Sequence, residues 1–226
     1  MGGTYQRHFY FINQRNSLMT TLQDLFLTNN PNPNSVKTFS KGQQFKMKDN
    51  VAFIISGIVS TDVLLLSGDT STLWLSGESE YLNMEAVNNP SLLEDRIYTI
   101  DSPNVTLAFL NTKHLREKVN EETSEGYKLY KEYSKTLVQY LAQLRDTHKA
   151  AIGLKTNLDR LRWAMARLED LSPIPYPLTR KRLGSHIFSN DLSVSKLIKI
   201  IREDNTLTPY MRVVFSTSAI NKLESF

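Results

Sequence analysis

The 226-residue chain contains no cysteine. Disulfides, thiol catalysis, zinc–cysteine sites and cysteine-held iron–sulfur clusters are therefore excluded. The four histidines lie far apart, and none has a second histidine at i+4, the spacing typical of metal ligands on a helix. They are His8, His114, His148 and His186. The sequence therefore predicts neither a metal centre nor a cofactor.

Catalytic motifs are missing as well. The chain has no Walker loop, no G-x-G-x-x-G, no G-x-S-x-G and no H-E-x-x-H. Its neighbouring carboxylates lack an accompanying histidine or metal motif, so we interpret them as solvated surface. These pairs are Glu78/Glu80, Glu94/Asp95 and Glu121/Glu122. An enzyme is not predicted.

No apolar run approaches 18 residues, and the N-terminus lacks a cationic segment followed by an apolar one. With 40% apolar and 22% charged residues, the composition is that of a soluble globular protein, and we expect it in the cytoplasm. Charge is unevenly placed: residues 1–144 carry 13 Lys and Arg against 15 Asp and Glu, whereas residues 145–226 carry 14 against 8. A basic C-terminal third favours contact with phosphates.

Residues 36–110 have the sequence pattern of a β domain. Short runs of β-forming residues alternate with turn residues such as Lys41-Gly42 and Ser56-Gly57, which predicts a barrel or sandwich. Residues 1–28, with Leu18, Leu22, Leu25 and Phe26 in a helical stripe, are expected to form a helix packed on it. Strands are predicted at 36–39, 44–47, 51–55, 57–59, 62–66, 71–75, 97–100 and 106–110.

The stretch 121–149 is predicted to be one long helix. Its apolar residues repeat every seven positions, with a second set offset by four, which is typical of a two-helix coiled coil. The contacts expected with a second copy are Tyr130, Leu137, Leu141, Leu144 and His148. A second line, Tyr133, Val138 and Tyr140, is expected to pack on the β domain. The alternative is a single amphipathic helix buried against its own domain.

Residues 178–207 predict a helix-turn-helix. Thr179 can cap a first helix carrying Leu183 and Ile187, and small Gly184 suits the close approach of two steeply crossing helices. In the second helix, the apolar positions fall at i, i+3, i+4 and i+7. They are Val194, Leu197, Ile198 and Ile201. A three-proline connector precedes this unit, and Met211–Phe215 is expected to follow as the strand of a short wing. A final short helix is expected to carry Ile220 and Leu223.

This C-terminal pattern resembles the DNA-binding end of the Crp/Fnr family of bacterial regulators. The resemblance is carried by Leu178-Thr179-Arg180, Leu183-Gly184 and Phe188-Ser189-Asn190, and in the β domain by Lys41-Gly42-Gln43, Phe53–Gly57 and Leu75-Ser76-Gly77. Phe188 stands where the family usually has glycine, Asp191-Leu192 where it often has Arg-Glu, and Lys196 where it has a later arginine.

The resemblance implies an α+β fold with three parts. Residues 1–120 would form an N-terminal helix and a β-roll, a cyclic-nucleotide-binding-like jelly roll. Residues 121–152 would form the long dimerisation helix, and residues 153–226 a winged helix-turn-helix. It implies a homodimer that reads a palindromic operator in double-stranded DNA and works with RNA polymerase.

Control by cyclic AMP is not predicted. In family members that bind it, a Gly-Glu-Leu segment and a following arginine hold the ribose and phosphate. The corresponding stretch here is 77–83, Glu94 occupies the arginine position, and Arg96 comes two residues late. A carboxylate there would repel a phosphate. A β-roll that senses a small apolar ligand stays compatible with the regulator hypothesis.

DNA contact is predicted for nine residues of the C-terminal third. Phosphates would be met by Arg180, Lys181, Arg182, Lys199 and Arg212, and bases by Asn190, Ser193 and Lys196, with Thr179 at the first helix. The alternative function is a protein-interaction module that kept the scaffold but lost specific DNA binding. Leu192, exposed on the second helix, is the main argument for it.

Overall fold

A computed structural model of the chain describes residues 21–28, 30–32, 34–65, 68, 70–88 and 96–216. The expectations for Leu18, Glu94, Asp95, Ile220 and Leu223 lie outside these residues. No helix in the described part combines the length and the apolar character that a membrane crossing requires.

Among the described residues, eight antiparallel strands form two four-stranded sheets, as the series of short strands and turns predicts. The first sheet has the order β1-β8-β3-β6 and the second β2-β7-β4-β5. In β3, Ala52 and Ile54 face the space between the sheets, whereas Val51 and Phe53 face outward. The strands are β1 Val36–Ser40, β2 Gln44–Phe45, β3 Asn50–Ser56, β4 Val59–Leu64, β5 Thr70–Ser76, β6 Tyr81–Leu82, β7 Arg96–Ile100 and β8 Asn104–Asn111.

Seven α-helices in the described residues cover the outer faces of these sheets. They are α1 Leu22–Leu27, α2 Thr112–Val119, α3 Ser124–Gly153, α4 Asn157–Leu171, α5 Arg180–His186, α6 Asp191–Glu203 and α7 Pro209–Val214. Helices α1, α2 and α3 bury Phe26, Leu115 and Tyr133 against Val51 and Phe53 of the first sheet. The predicted long helix is therefore observed as α3.

The outer face of the second sheet is covered by the C-terminal helices. Ile58, the residue before β4, and Leu75 of β5 belong to the same buried cluster as Leu161, Leu183 and Val194. The C-terminal third consequently shares a continuous apolar core with the β-roll. This packing decides where the helix-turn-helix lies.

Two predictions about secondary structure and packing are wrong. Residues 209–214 form helix α7 and not a wing strand, because Thr208 caps the segment, accepting from the Met211 amide, and Pro209 at the first helical position supplies a helical φ. Val138 does not pack on the β-roll, since its side chain is 65% exposed while Tyr133 and Tyr140 are buried. The short strand β6 was not predicted, because two residues carry no periodicity.

Candidate nucleic-acid interface

Helices α5 and α6 form the helix-turn-helix that the sequence predicts. Thr179 caps α5, its hydroxyl accepting from the Arg182 amide at 3.2 Å. At Gly184 an added Cβ would lie 2.6 Å from the carbonyl oxygen of Ser189, so only glycine permits the two backbones to come this close. The need for a small residue at the crossing is confirmed.

Phe188 takes the left-handed conformation in the turn between the helices, with φ at 57°. This is the position where the resembling family usually has glycine, the residue for which that conformation costs nothing. A bulky side chain there is strained. The turn therefore uses a backbone conformation that suits glycine, but with phenylalanine, for which that conformation is less favourable.

Helix α6 buries one face and exposes the other. Asn190 caps it, its side-chain oxygen accepting from the Ser193 amide at 2.8 Å. The predicted apolar residues Val194, Leu197, Ile198 and Ile201 are all buried. Asn190, Lys196 and Lys199 are exposed, and the ammonium of Lys199 lies 3.6 Å from a carboxylate oxygen of Glu203. Of the three positions expected to read bases, Asn190 and Lys196 therefore lie at the open side of α6, and Ser193 is half-buried.

The other predicted DNA-contacting residues, apart from Arg182, are at least partly accessible. Thr179 and Lys181 are exposed at the first turn of α5, and Arg180 is half-buried. Arg212 is exposed but lies on helix α7, so it cannot act from a wing strand as expected.

Arg182 is the exception among the predicted phosphate contacts. Its side chain is 12% exposed, and its guanidinium is held between Asp62 of β4 and Asp101, the residue after β7. Nε donates to Asp101 Oδ1 at 2.5 Å, and Nη1 donates to Asp62 Oδ2 at 2.8 Å. Phosphate contact by Arg182 stays a prediction that this conformation does not favour, because two buried carboxylates already occupy its donors.

The strands place both carboxylates under α5 by alternation. Ser60 and Asp62 of β4, and Thr99 with Asp101 along β7, are spaced two apart and so point to the same face of the second sheet. Thr99 donates to Asp62 at 2.6 Å, and the Ser60 hydroxyl donates to Asp101. The sequence does carry a signal for this contact: each of two strands has an acid and a hydroxyl two residues apart, and α5 starts with basic residues. That signal was missed.

His186 completes this group, which we call the ionic cluster: Asp62, Asp101, Arg182 and His186. The imidazole is buried at the end of α5, with Nδ1 3.0 Å from the Thr72 hydroxyl and Nε2 3.4 Å from Asp101 Oδ2. At 3.4 Å the second contact is long for a hydrogen bond, and Nε2 has no hydrogen-bond partner. We therefore treat it as an electrostatic contact only.

Burial and charge set the protonation states in the ionic cluster. Burial lowers the pKa of His186 to about 4, and the opposing attraction of Asp101 does not overcome it. Burial alone would raise the pKa of Asp101, but Arg182 and His186 hold it below its usual range. Near pH 7 Asp101 is thus ionised, Arg182 is a guanidinium cation and the imidazole of His186 is neutral.

The β-roll meets the long helix at a second group, which we call the aromatic junction: Trp74, Glu85, Arg96 and Tyr140. The Trp74 and Tyr140 rings meet edge to face with centroids 4.9 Å apart. The guanidinium of Arg96 lies 5.0 Å from the Trp74 ring, pairs with Glu85 and donates to the Tyr140 hydroxyl at 3.0 Å. Arg96, which comes two residues after the expected arginine position, is thus occupied by protein groups.

The Gly77–Asn83 stretch is also tied to helices. Glu80 accepts from the Gly77 amide at 2.9 Å, from Gln143 of α3 at 2.8 Å and from Arg167 of α4 at 3.1 Å. Its carboxylate therefore joins the β-roll to both helices.

Helix α3 carries an apolar stripe on its outer side. The exposed fractions are 60% for Tyr127, 50% for Tyr130, 65% for Val138 and 49% for Leu141. His148 is exposed further along the helix, whereas Leu137 and Leu144 are half-buried. Leu137 also contacts the cluster beneath the helix. Most of the residues predicted to contact a second copy therefore lie on or beside one accessible line.

No protein-family model matches the sequence, and no curated protein matches it either. Solved structures do. The c-di-GMP-responsive global regulator CLP of Xanthomonas campestris is 14% identical over 76% of this chain and 88% of its own, with a TM-score of 0.63. FixK2 of Bradyrhizobium japonicum is 13% identical over 76% and 86%, with a TM-score of 0.62. A CRP-family transcriptional regulator of Thermus thermophilus is 15% identical over 75% and 85%, with a TM-score of 0.58.

These neighbours are transcription regulators and not enzymes. The predicted α+β architecture, a β-roll followed by a long helix and a helix-turn-helix, is confirmed by the sheets and helices of the chain and by this likeness. The chain has the fold of the Crp/Fnr transcription regulators.

Proposed function

We propose that the chain is a transcription regulator that binds a palindromic DNA site as a homodimer, without control by cyclic AMP. The observation that carries this proposal is the outer face of α6. Its apolar side is fully used in the core, while Asn190, Lys196 and Lys199 are exposed at spacings that one major groove can accommodate. Lysine can donate to guanine, and the amide nitrogen of Asn190, whose oxygen caps α6, can donate to an acceptor on a base edge.

The stripe on α3 supports the dimer. Tyr127, Tyr130, Val138 and Leu141 form an exposed apolar line on a 30-residue helix whose opposite face is already buried on the β-roll. A helix with two apolar faces needs two partners, and a second copy of the same helix satisfies the outer one. Twofold symmetry would then present two recognition helices to two half-sites.

The aromatic junction supports the absence of cyclic AMP control. A phosphate needs an available cation, and Arg96 is paired with Glu85, while Glu80 adds a carboxylate held by Arg167. An incoming phosphate would have to break a largely buried ion pair, which costs several kcal/mol when one partner is left behind.

The decisive experiment is selection of bound duplexes from a random pool, followed by affinity measurements on the recovered site. A palindrome is expected. Lys196→Ala should weaken binding to that site by roughly 1–3 kcal/mol and relax preference at one position in each half-site. Lys135→Ala, an exposed lysine on α3, is the matched control. Equal binding of all sequences by the unaltered protein would overturn the proposal.

Dimerisation is tested by sedimentation equilibrium of Leu141→Glu against Gln139→Glu. Both positions are exposed on α3, but only Leu141 belongs to the apolar stripe. Leu141→Glu places two carboxylates at the expected seam and should yield monomers, whereas Gln139→Glu should leave the dimer intact. A monomeric unaltered protein at micromolar concentration would contradict the homodimer.

A second candidate function rests on Leu192. Its side chain is 64% exposed in the first turn of α6, where a DNA-reading helix ordinarily presents polar groups. If α6 binds a protein instead, Leu192→Ala should abolish capture of that protein and Lys196→Ala should not change DNA retention. Selection of duplexes therefore separates the two candidates.

A further inference from the structure

We propose that Arg182 is a positioning residue: clamped by Asp62 and Asp101, it fixes α5, and with it the recognition helix α6, on the outer face of the second sheet. This inference rests on the proposed function for its effect on DNA. The clamp itself is a statement about the chain alone.

The geometry of Arg182 is that of a two-sided clamp. Its guanidinium makes four contacts with carboxylate oxygens, Nε and Nη2 with Asp101 and Nη1 and Nη2 with Asp62, at 2.5 to 3.3 Å. The Asp62 and Asp101 side chains are 0% and 1% exposed. Only a planar fork can satisfy two carboxylates in this way, so lysine would not substitute. The donors of Arg182 therefore point inward, away from any DNA.

Further contacts fix the same junction from both sides of α5. The Lys41 ammonium donates to the Pro177 carbonyl just before the helix. His186 contacts Thr72 at the end of the helix, at 3.0 Å, and the Ser185 and Thr70 hydroxyls lie 3.5 Å apart. Because α5 is held at its start, middle and end, it has one orientation on the sheet. Gly184 lets α5 lie close to Ser189 and Asn190, the residues that lead into α6, and so transmits that orientation.

Fixing the orientation matters because a helix that is already in place loses less freedom on binding. In a dimer, both recognition helices must enter grooves on one face of the duplex at a set separation. A junction that allowed α5 to rotate would change that separation. Specific affinity then depends on the clamp, although none of its groups contacts DNA.

Asp62→Asn is the test, because it lies on the β-roll side and cannot alter a DNA contact directly. Two measurements are made on the whole 226-residue chain: hydrogen exchange of the α5 amides, and affinity for the selected duplex as a function of salt. Glu78→Gln, an exposed carboxylate of the same β-roll, is the matched control. We expect α5 amides to exchange more than about tenfold faster in Asp62→Asn, with the β3 and β8 amides unchanged. Specific affinity should fall at least about tenfold, with non-specific affinity retained.

If Arg182 contacts DNA phosphates instead, the change in DNA affinity on Asp62→Asn should have the opposite sign. If its guanidinium meets a phosphate, Asp62→Asn removes one of the two carboxylates that compete for it, so DNA binding should strengthen and the salt dependence should steepen by up to about one unit per subunit. Either that result or unchanged α5 exchange overturns the clamp. If Asp62→Asn does not fold, Asp62→Glu, which keeps the charge but displaces it, is measured in the same way. If the unaltered protein binds no duplex, the proposed function fails, and the exchange measurement still decides the clamp.

Discussion

The second sheet has two junctions with helices, and they are built from different chemistry. At the aromatic junction, Trp74 and Tyr140 supply apolar contact, and a single ion pair, Arg96 with Glu85, closes it with side chains 15% exposed. At the ionic cluster, two carboxylates and a guanidinium are almost completely withdrawn from water. The first junction attaches the long helix, and the second attaches the helix-turn-helix.

The difference teaches how each junction would respond to change. When an apolar or aromatic contact is removed, the loss of stability is proportional to the apolar area that is no longer buried. When a buried charge loses its partner, its full desolvation cost remains. The aromatic junction should therefore tolerate small losses gradually. The ionic cluster should respond steeply, and to acid as well as to mutation.

The largest effect is expected for Asp101→Ala. Removing this carboxylate leaves Arg182 with half of its partners and leaves the Ser60 hydroxyl and His186 without their contact. Breaking a buried pair typically costs about 3–5 kcal/mol, and we expect a loss of unfolding free energy in that range. Chemical denaturation measures it. A loss below about 1 kcal/mol would mean that the cluster is solvated and that the contrast between the junctions is wrong.

The next effect is a pH dependence that only the ionic cluster should show. His186 has an ordinary pKa of 6.5 and a folded-state pKa of about 4, so the folded protein disfavours the protonated ring. Stability is then fully present above pH 6.5 and declines as the pH falls towards 4, by up to about 3 kcal/mol. His186→Asn, which can retain the Thr72 contact, should flatten the decline between pH 6.5 and 4. An unchanged profile in that variant would assign the acid sensitivity to other groups.

Tyr140→Phe probes the aromatic junction with a smaller expected effect. The hydroxyl donates to Glu85 at 2.7 Å and accepts from Arg96 at 3.0 Å, while the ring contact with Trp74 would survive the substitution. We expect a loss of about 1.5–3 kcal/mol, the usual worth of hydrogen bonds to charged groups. Thermal unfolding of this variant beside Asp101→Ala compares the junctions directly. A larger loss for Tyr140→Phe would reverse their ranking.

Much of the fold was predictable because its signals are local and periodic. The apolar run that forms β3 indicated a buried strand, the i, i+3, i+4, i+7 spacing in α6 indicated a buried face, and Gly184 indicated the crossing of α5 and α6. The wing strand failed for a local reason too: Thr208-Pro209 is a helix start, and the apolar residues after it suit either structure.

The candidate site was less predictable because its decisive contacts join distant parts of the chain. Arg182 looks like a phosphate-binding residue beside Arg180 and Lys181, and only the fold brings it to Asp62, 120 residues away. Similarly, both faces of α3 carry apolar residues, so the spacing alone does not show which face contacts the β-roll. Val138 was therefore placed on the wrong face. Periodicity identifies a face but not the partner that covers it.

The smallest expected effect concerns the turn that follows the ionic cluster, and a matched pair of substitutions isolates it. Both Phe188→Gly and Phe188→Ala remove the half-buried ring, so comparing them cancels the lost packing. The backbone there has φ at 57°, which costs about 1 kcal/mol for a residue with a Cβ and nothing for glycine. Phe188→Gly should therefore be more stable than Phe188→Ala by up to about 1 kcal/mol, although glycine usually destabilises a chain relative to alanine. If denaturation finds alanine the more stable of the two, the left-handed turn between α5 and α6 does not exist in solution, and the path by which the ionic cluster orients α6 is broken.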